Sequence, residues 1–461
     1  MRLAIIGSGP GGYFAAVRAA QLGASVTIIE KAEVGGTCLN CGCIPTKTLS
    51  ASAEALRKAR QLGEYGIDCS GEVRPDMSRI MDRKNKVVST QVRGIRSLLK
   101  VRNVKLVEGR GRLIAPGRIE VEKSDGTKEI VEADKVIIAT GSRPARMPMF
   151  PFDGENILSS DDALNLTKLP RSMIIIGAGV IGCEFACIFA EFGVEIIMVE
   201  LLDRAVSTED REISEVLERE LKKKKIKLLT GVKVEKVENR PDGMHVFLAG
   251  GKELAAEKLL VSIGRQLNTE DIGLEALGIK MGERGEIKTD DKMETNITGV
   301  YAIGDVVGGI LLAHVASREG IVAASNACGA EMQMDYSVVP AAIFTSPEIG
   351  SVGLREHQAL ERNIRIKTGH FQFRTLGRAH AMGEIAGLIK VIADAETDKV
   401  LGVHIIGPHA SDMVQEGALA LKAGITVREM GAMIHAHPTL SEGLMEAAED
   451  VHGMAIHVAK Q

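Results

Sequence analysis

The chain lacks any apolar run long enough to span a bilayer. It also lacks a secretory leader: the apolar stretch Leu3 to Ile6 breaks at once into Gly7 and Gly9, and no cleavage-like site follows. It has little net charge, −4 over 461 residues, and no basic stripe stands out. The lysine run Lys222 to Lys225 is short and reads as a solvated helix face, not a nucleic-acid footprint. Cysteine is scarce and odd in number, seven in all, unlike a disulfide-stapled secreted scaffold. These absences argue against membrane, secreted and nucleic-acid-binding classes and leave a cytoplasmic globular protein. With 45% hydrophobic and 26% charged residues the composition fits that class, and the length calls for two to four domains.

What is present is one nucleotide-binding pattern, written twice. MRLAIIGSGPGGYFAAVRAAQLGASVTIIE reads as strand, glycine turn, helix and second strand. Gly7, Gly9 and Gly12 fit GxGxxG: the first permits a tight turn, the second lets a pyrophosphate approach the backbone, and the third lets helix pack on strand. The helix N-terminus then faces the phosphates. Glu30 ends the second strand, where a carboxylate can hold a ribose 2′-hydroxyl. SMIIIGAGVIGCEFACIFAEFGVEIIMVE repeats this with Gly177, Gly179, Gly182 and Glu200. Two units imply two dinucleotides. A carboxylate at Glu200 repels a 2′-phosphate, so the second site is expected to take NAD(H) over NADP(H), with Arg204 a surface residue.

Between the units a short β-meander returns to a parallel strand at Lys135 to Ala139, after which Thr140 and Gly141 turn beside the first nucleotide. KLLVSIGRQLN has the same strand-then-glycine form, ending at Gly264. In TNITGVYAIGDVVGG, Asp305 follows a strand and can accept hydrogen bonds from a polyol such as a ribityl chain, although an Asp there is more often a turn or cap. From about Tyr336 the texture changes to short strands and helices without a nucleotide fingerprint, which predicts a separate α+β domain with an antiparallel sheet.

GGTCLNCGCIPTK places Cys38, Cys41 and Cys43 within six positions. A zinc site wants further ligands at suitable spacing, and none is near. A structural disulfide does not suit a reducing compartment. Cys38–Cys41 has the spacing of redox CxxC pairs. Cys38–Cys43 is too far apart on a regular helix for disulfide geometry, but Gly42 and Pro45 allow a distorted backbone. The spacing leaves both pairs open.

The stretch resembles the redox signature GGTCxNxGCxPxK of the flavin-dependent disulfide reductases. The resemblance implies that Cys38 and Cys43 are the pair, with Cys43 against the flavin of FAD as a charge-transfer thiolate and Cys38 exchanging with substrate. It implies that Lys47 neighbours the flavin ring, with Glu184 as its acidic partner. Cys41 departs from the family, which has valine there, and reads as a small hydrophobe in valine's place.

Thiol exchange needs a base, because the thiolate is the nucleophile. In HAHPTLSEG, His437 precedes a proline and Glu442 follows five residues later; a histidine titrates in the right range, and a carboxylate raises its basicity and fixes its tautomer. The segment is similar to the family's HPTxxE acid/base motif, which implies a homodimer whose active site draws His437 and Glu442 from the opposite subunit. His435 falls outside the motif and reads as structural.

The resemblance covers essentially the whole chain. It implies an α/β fold with two Rossmann-like domains, for FAD and NAD, and a C-terminal α+β dimerisation domain. The boundaries expected are 1–146 for FAD with the redox pair, 147–267 for NAD, 268–337 for a central part completing the FAD site, and 338–461 for the interface. GRAHAMGEIAGLIKVIAD, GVHIIGPHASDMVQEGALA and AHPTLSEGLMEAAEDVHGMAIH match best the members that oxidise dihydrolipoyl groups with NAD+. The end, AIHVAKQ, has no cysteine pair of the mercuric-reductase kind. Leu267, where proline is usual, and His409, where asparagine is common, are small departures. No lipoyl-bearing segment precedes Met1, so the expected partner is a separate lipoyl-bearing acyltransferase or carrier protein. An NAD(P)H-dependent reductase of another disulfide and a flavin-bound redox sensor are the alternatives.

Overall fold

The computed structural model describes residues 1–458. The last three, the end of the AIHVAKQ stretch, lie outside the described residues. The near-continuous apolar strand β1 (Arg2–Ile6) is the middle of a five-stranded parallel sheet, where both faces are covered and alternation is not required. Its neighbours are β2 (Ser25–Glu30) and Lys135–Ile138, with Lys105–Glu108 and Val300–Ala302 at the edges. The helix α1 (Pro10–Gln21) crosses from β1 to β2. A three-stranded meander, 110–132, covers one face of this sheet through Leu113, Ile119 and Val121. The strand Val300–Ala302 and the helix Ala313–Ala327 come from beyond the second nucleotide unit, and that helix packs along α1.

Three helices follow β2: α2 (Gly36–Asn40), α3 (Cys43–Arg60) and α4 (Met77–Val101), capped by the Asp76 carboxylate on the Arg79 amide. One expectation fails on α4. Its cations Arg79, Lys86, Arg93 and Lys100 look scattered along the chain, yet seven residues are close to two helical turns, so they form a basic stripe along one exposed face.

The second parallel sheet repeats the first, with Ser172–Ile176 in the middle, flanked by Glu195–Val199 and Lys258–Val261. A short ribbon, Ser142–Pro144 against Arg265–Leu267, joins the two halves. From Ala341 onward the chain builds a five-stranded antiparallel sheet with the buried strands Val400–Gly407 and Leu388–Asp394 inside it. The helices Ala410–Ala423 and Glu442–Asp450 pack on that sheet.

An ionic cluster ties the antiparallel sheet to the second nucleotide unit. Lys390, 1% exposed, donates to Asp210 at 3.1 Å and to Glu212 and Glu356 at 2.6 Å. Asp210 also caps the helix Arg211–Lys223. No helix among the described residues is long and apolar enough to cross a membrane.

Candidate active site

The two glycine turns have the same construction. Gly7 and Gly177 hold φ of +105° and +97°, and a side chain on either would run into a carbonyl oxygen, of Ala139 at 2.3 Å or Ser262 at 2.5 Å. A Cβ on Gly12 or Gly182 would lie 2.0 Å from the carbonyl oxygen of Gly7 or Gly177, which fixes how closely each helix crosses its strand. The middle glycines differ in kind. A Cβ on Gly9 would meet nothing nearer than Gly36 Cα at 4.0 Å, and one on Gly179 would meet nothing within 4 Å. The space in front of them is open, as a pyrophosphate requires. Neither glycine helix has a side-chain cap or an acid in its first turn, so its leading amides remain available to an anion.

The two terminal carboxylates do something the sequence did not announce. Glu30 accepts the Ser8 amide at 2.8 Å, the Ser8 hydroxyl at 2.7 Å and the Ala32 amide at 2.9 Å. Glu200 accepts the Ala178 amide at 2.6 Å and the Leu202 amide at 2.8 Å. Each carboxylate therefore braces its own glycine turn. Arg204 is turned away, donating to the Ser207 carbonyl at 2.7 Å and to Asp203 at 3.3 Å, and offers no cation to a 2′-phosphate.

Two cavities meet at the first turn. One, of about 310 Å³, is lined by Gly7, Gly9, Glu30, Thr140 and Asn268. The other, of about 710 Å³ and mostly apolar, takes in Cys38, Cys43, Lys47, Glu184 and Asp305. Gly9, Thr37 and Cys41 line both, so the two form one continuous groove. A phosphate turn, a ribose carboxylate and an apolar chamber in line fit a dinucleotide that carries a large planar ring. Val180 and Ile181, the first residues of the second glycine helix, line the same chamber, which brings the second nucleotide unit to it.

The cysteines sit where the backbone breaks. Cys41 and Gly42 leave helical geometry, with φ/ψ of −142°/31° and −144°/−112°, and separate α2 from α3. The break turns Cys38 and Cys43 toward each other as a hydrogen-bonded thiol pair. Cys41 faces elsewhere, toward Asp161 and Thr37. The hydrogen bond from Cys38 pulls the Cys43 thiol down to about 7, and the Lys47 ammonium adds to this against the cost of burial. The same bond, with burial, pushes Cys38 up. Burial and Asp161 push Cys41 up to about 11, so it stays a neutral thiol.

Lys47 lies one turn along α3 from Cys43 and donates to both oxygens of Glu184 at 2.9 Å. It also stands 4.6 Å from the centre of the Phe344 ring. Glu184, 4% exposed, in turn accepts the Phe344 amide at 2.9 Å. One lysine thus links the cysteine helix, the second nucleotide helix and the residue that follows the antiparallel sheet's first strand. No sequence signal pointed to Phe344.

At the far side of the chamber Asp305 accepts a hydrogen bond from the Ser142 hydroxyl, with Arg265 Nε at 3.7 Å. Thr140 and Asn268 exchange side-chain-to-carbonyl hydrogen bonds at 2.7 and 2.9 Å. Ser142, Arg265 and Asn268 were not foreseen, because their partners lie more than a hundred residues away. Gly141 and Gly264 do not line the groove; they stand at the ends of the ribbon, with φ of +68° and +122°.

His437 and Glu442 do form a couple: Nδ1 is 2.8 Å from Glu442 Oε1, while Oε2 accepts the Thr439 amide at 2.8 Å. Burial opposes ionisation of Glu442, but the Thr439 amide and His437 hold its carboxyl below its usual value. Within this chain the couple is not among the residues around the cysteines, and the His437 side chain is 77% exposed. His435 is instead 6% exposed and held by Glu416 at 2.8 Å.

Comparison with known proteins agrees with this geometry. The model of the pyridine nucleotide-disulphide oxidoreductase family matches residues 1–320, and that of its dimerisation domain matches residues 339–448. A dihydrolipoyl dehydrogenase of Bacillus subtilis is 44% identical, covering 98% of each chain. The mitochondrial dihydrolipoyl dehydrogenase of Pisum sativum is 39% identical, over 98% of this chain and 92% of its own. Among solved structures, LpdA of Mycobacterium tuberculosis superposes with a TM-score of 0.91 at 31% identity, covering 97% of this chain and 99% of that one. The HOCl-induced flavoprotein disulfide reductase RclA of Escherichia coli superposes at 0.87 with 27% identity, over 97% and 99%.

Proposed function

The chain belongs to the pyridine nucleotide-disulphide oxidoreductase family, and from that premise we propose that it is a dihydrolipoyl dehydrogenase, oxidising protein-bound dihydrolipoyl groups and reducing NAD+ to NADH. The observation that carries this is the Cys38–Cys43 pair set beside the Lys47–Glu184 ion pair in a chamber shared by both nucleotide units. Gly7, Gly9, Glu30, Thr140 and Asp305 would hold FAD in the groove, with Gly12 setting the helix against its strand, and Gly177, Gly179, Gly182 and Glu200 would hold NAD at the second turn; the bound flavin would supply two-electron transfer between the cysteine pair and NAD+.

The chain's own residues do the rest. In the oxidised enzyme Cys38 and Cys43 share a disulfide. A dihydrolipoyl thiolate attacks Cys38 Sγ, the Cys38–Cys43 bond breaks, and Cys43 leaves as a thiolate. The second dihydrolipoyl thiol then displaces Cys38, releasing the cyclic lipoyl disulfide. His437 accepts the proton of the attacking thiol, and Glu442 steadies the resulting imidazolium. Cys43 is suited to leave because the nearby Lys47 favours its thiolate, and once the lipoyl disulfide has departed the freed Cys38 thiol adds its hydrogen bond. The isolation of His437 and Glu442 from the cysteines of their own chain, together with the dimerisation domain, supports a homodimer in which each subunit lends this couple to the other.

We assign 1–146 and 268–337 to the FAD part, 147–267 to the NAD part and 338–461 to the interface, following the three five-stranded sheets. A lipoyl-bearing acyltransferase or carrier of a multienzyme complex is the partner this activity requires. A centre that cycles between dithiol and disulfide, with Cys69 unpaired and exposed, suits the reducing cytoplasm.

The test is anaerobic mixing of the purified protein with dihydrolipoamide and NAD+, following NADH. Turnover that collapses in both Cys43→Ser and His437→Gln is expected. Turnover with another disulfide and NAD(P)H but none with dihydrolipoamide would keep the family and remove the substrate.

A further inference from the structure

The exposed face of α4 carries a cation at every seventh position, Arg79, Lys86, Arg93 and Lys100, with Arg83 one turn beyond the first. At 1.5 Å per residue the stripe runs about 31 Å. The opposite face, Met77, Met81, Val92 and Leu99, is buried. Lys84 belongs to that buried face and donates to the Leu164 carbonyl at 2.7 Å.

The stripe is poorly compensated. Arg79 meets only Asp76, at 3.4 Å, with both side chains open to water. Arg83 donates to the Thr48 carbonyl at 3.1 Å and Arg93 to the Thr90 hydroxyl at 3.0 Å, both neutral acceptors. Lys86 and Lys100 have no ion pair among the described residues, and Asp82 is the one acid within the helix. Such a concentration of one sign is out of keeping with a chain of net charge −4.

Its position is the second observation. α4 packs on α2 and α3, the helices that carry Cys38 and Cys43, and Arg83 reaches Thr48, the residue after Lys47. Arg96, toward the other end, joins Glu33 at 2.7 Å, just ahead of the cysteine loop. The helix that bears the stripe therefore packs directly against the two that carry the redox pair, with the stripe on its outer face.

We propose that this stripe is the docking surface for the acidic face of the protein that carries the dithiol substrate, an inference that rests on the function proposed above. A tethered dithiol reaches Cys38 only when two proteins meet in a productive orientation. A line of exposed cations raises the encounter rate with an acidic partner and aligns it, while each exposed pair adds little lasting affinity. Nucleic acid is the poorer occupant, because no aromatic side chain interleaves the cations and a single convex helix offers no channel for a strand. A membrane is poorer still, because the apolar face of α4 is already packed inside the protein.

The experiment compares two substrates on the FAD-loaded protein: free dihydrolipoamide and a purified, reduced lipoylated carrier domain of net negative charge. In Lys86→Glu/Arg93→Glu, kcat/KM for the carrier at low ionic strength should fall about tenfold, with kcat unchanged and the salt dependence flattened. Turnover of free dihydrolipoamide should not change, and the charge-conserving Lys86→Arg/Arg93→Lys should restore the carrier rate. An equal loss on both substrates, or no loss on the carrier, would overturn the docking surface. So would binding of duplex DNA or anionic vesicles that the double variant abolishes while carrier kinetics stay intact. No turnover of free dihydrolipoamide by the unsubstituted protein would instead overturn the functional reading, and the docking surface with it.

Discussion

The ionisation of Cys43 offers the sharpest check on the redox centre. Its thiol is pulled from an ordinary 9 down to about 7, in favour of the thiolate. The largest cause is the hydrogen bond from Cys38, followed among the favourable ones by the Lys47 charge. Cys38→Ala removes the donor, whereas Cys38→Ser keeps a hydroxyl in its place. The midpoint of Cys43 should therefore rise by more than about one unit in Cys38→Ala and stay near 7 in Cys38→Ser. Lys47→Ala in the Cys38→Ser background should raise it by a smaller amount. The readout is thiolate ultraviolet absorbance against pH, as a difference from the matching Cys43→Ser protein. Cys41, at about 11, does not enter the window, so one thiol of the three should ionise near neutrality. The reasoning is refuted if Cys38→Ala and Cys38→Ser titrate alike, or if Cys43 titrates at 9 or above.

Four further outcomes follow from the geometry. Gly9→Val should fold, since its side chain meets open space, yet purify without FAD, while Gly179→Val should keep FAD and lose NAD+ affinity; circular dichroism, flavin content and NAD+ titration read all three. Glu200→Ala should narrow the preference for NAD+ over NADP+ by about tenfold, and because Glu200 also braces the Ala178 turn, the KM for NAD+ should rise as well. Lys390→Met leaves Asp210 buried without its cation and should cost about 3–5 kcal/mol, seen as a lower unfolding temperature at pH 7. In the unsubstituted protein that interface should weaken with acid. Burial holds His404 down to about 4, so stability falls as pH drops from 6.5 toward 4. Glu212, held at about 2 first by His370, then by Lys390, loses its share as pH falls below 4.5. A melting temperature flat from pH 7 to 4 would contradict the first, and one flat from pH 4.5 to 2 the second.

Much of the centre was legible because its chemistry is local in sequence. The two GxGxxG turns, their terminal glutamates and the His437–Glu442 contact each involve residues within about thirty positions of one another, so a short-range pattern can carry them. The cysteines mark the limit of this. Spacing left Cys38–Cys41 and Cys38–Cys43 both open, and the backbone break at Cys41 and Gly42 separated them by turning Cys41 toward Asp161. Asp161 is 120 residues away, and no local pattern names it.

The rest was decided by contacts that only folding creates. Lys47 finds Glu184 across 137 residues, Asp305 finds Ser142 across 163, and Lys390 finds Asp210 across 180. Each is a charge taken out of water, so its partner must be supplied by whatever element packs there. The α4 stripe shows the same division in another form. Its cations are plain in the sequence but seven apart, and the helical repeat alone brings them into line. Periodic and motif-bound chemistry is written along the chain, whereas the pairing of buried charges and the sign of a surface belong to the packed molecule.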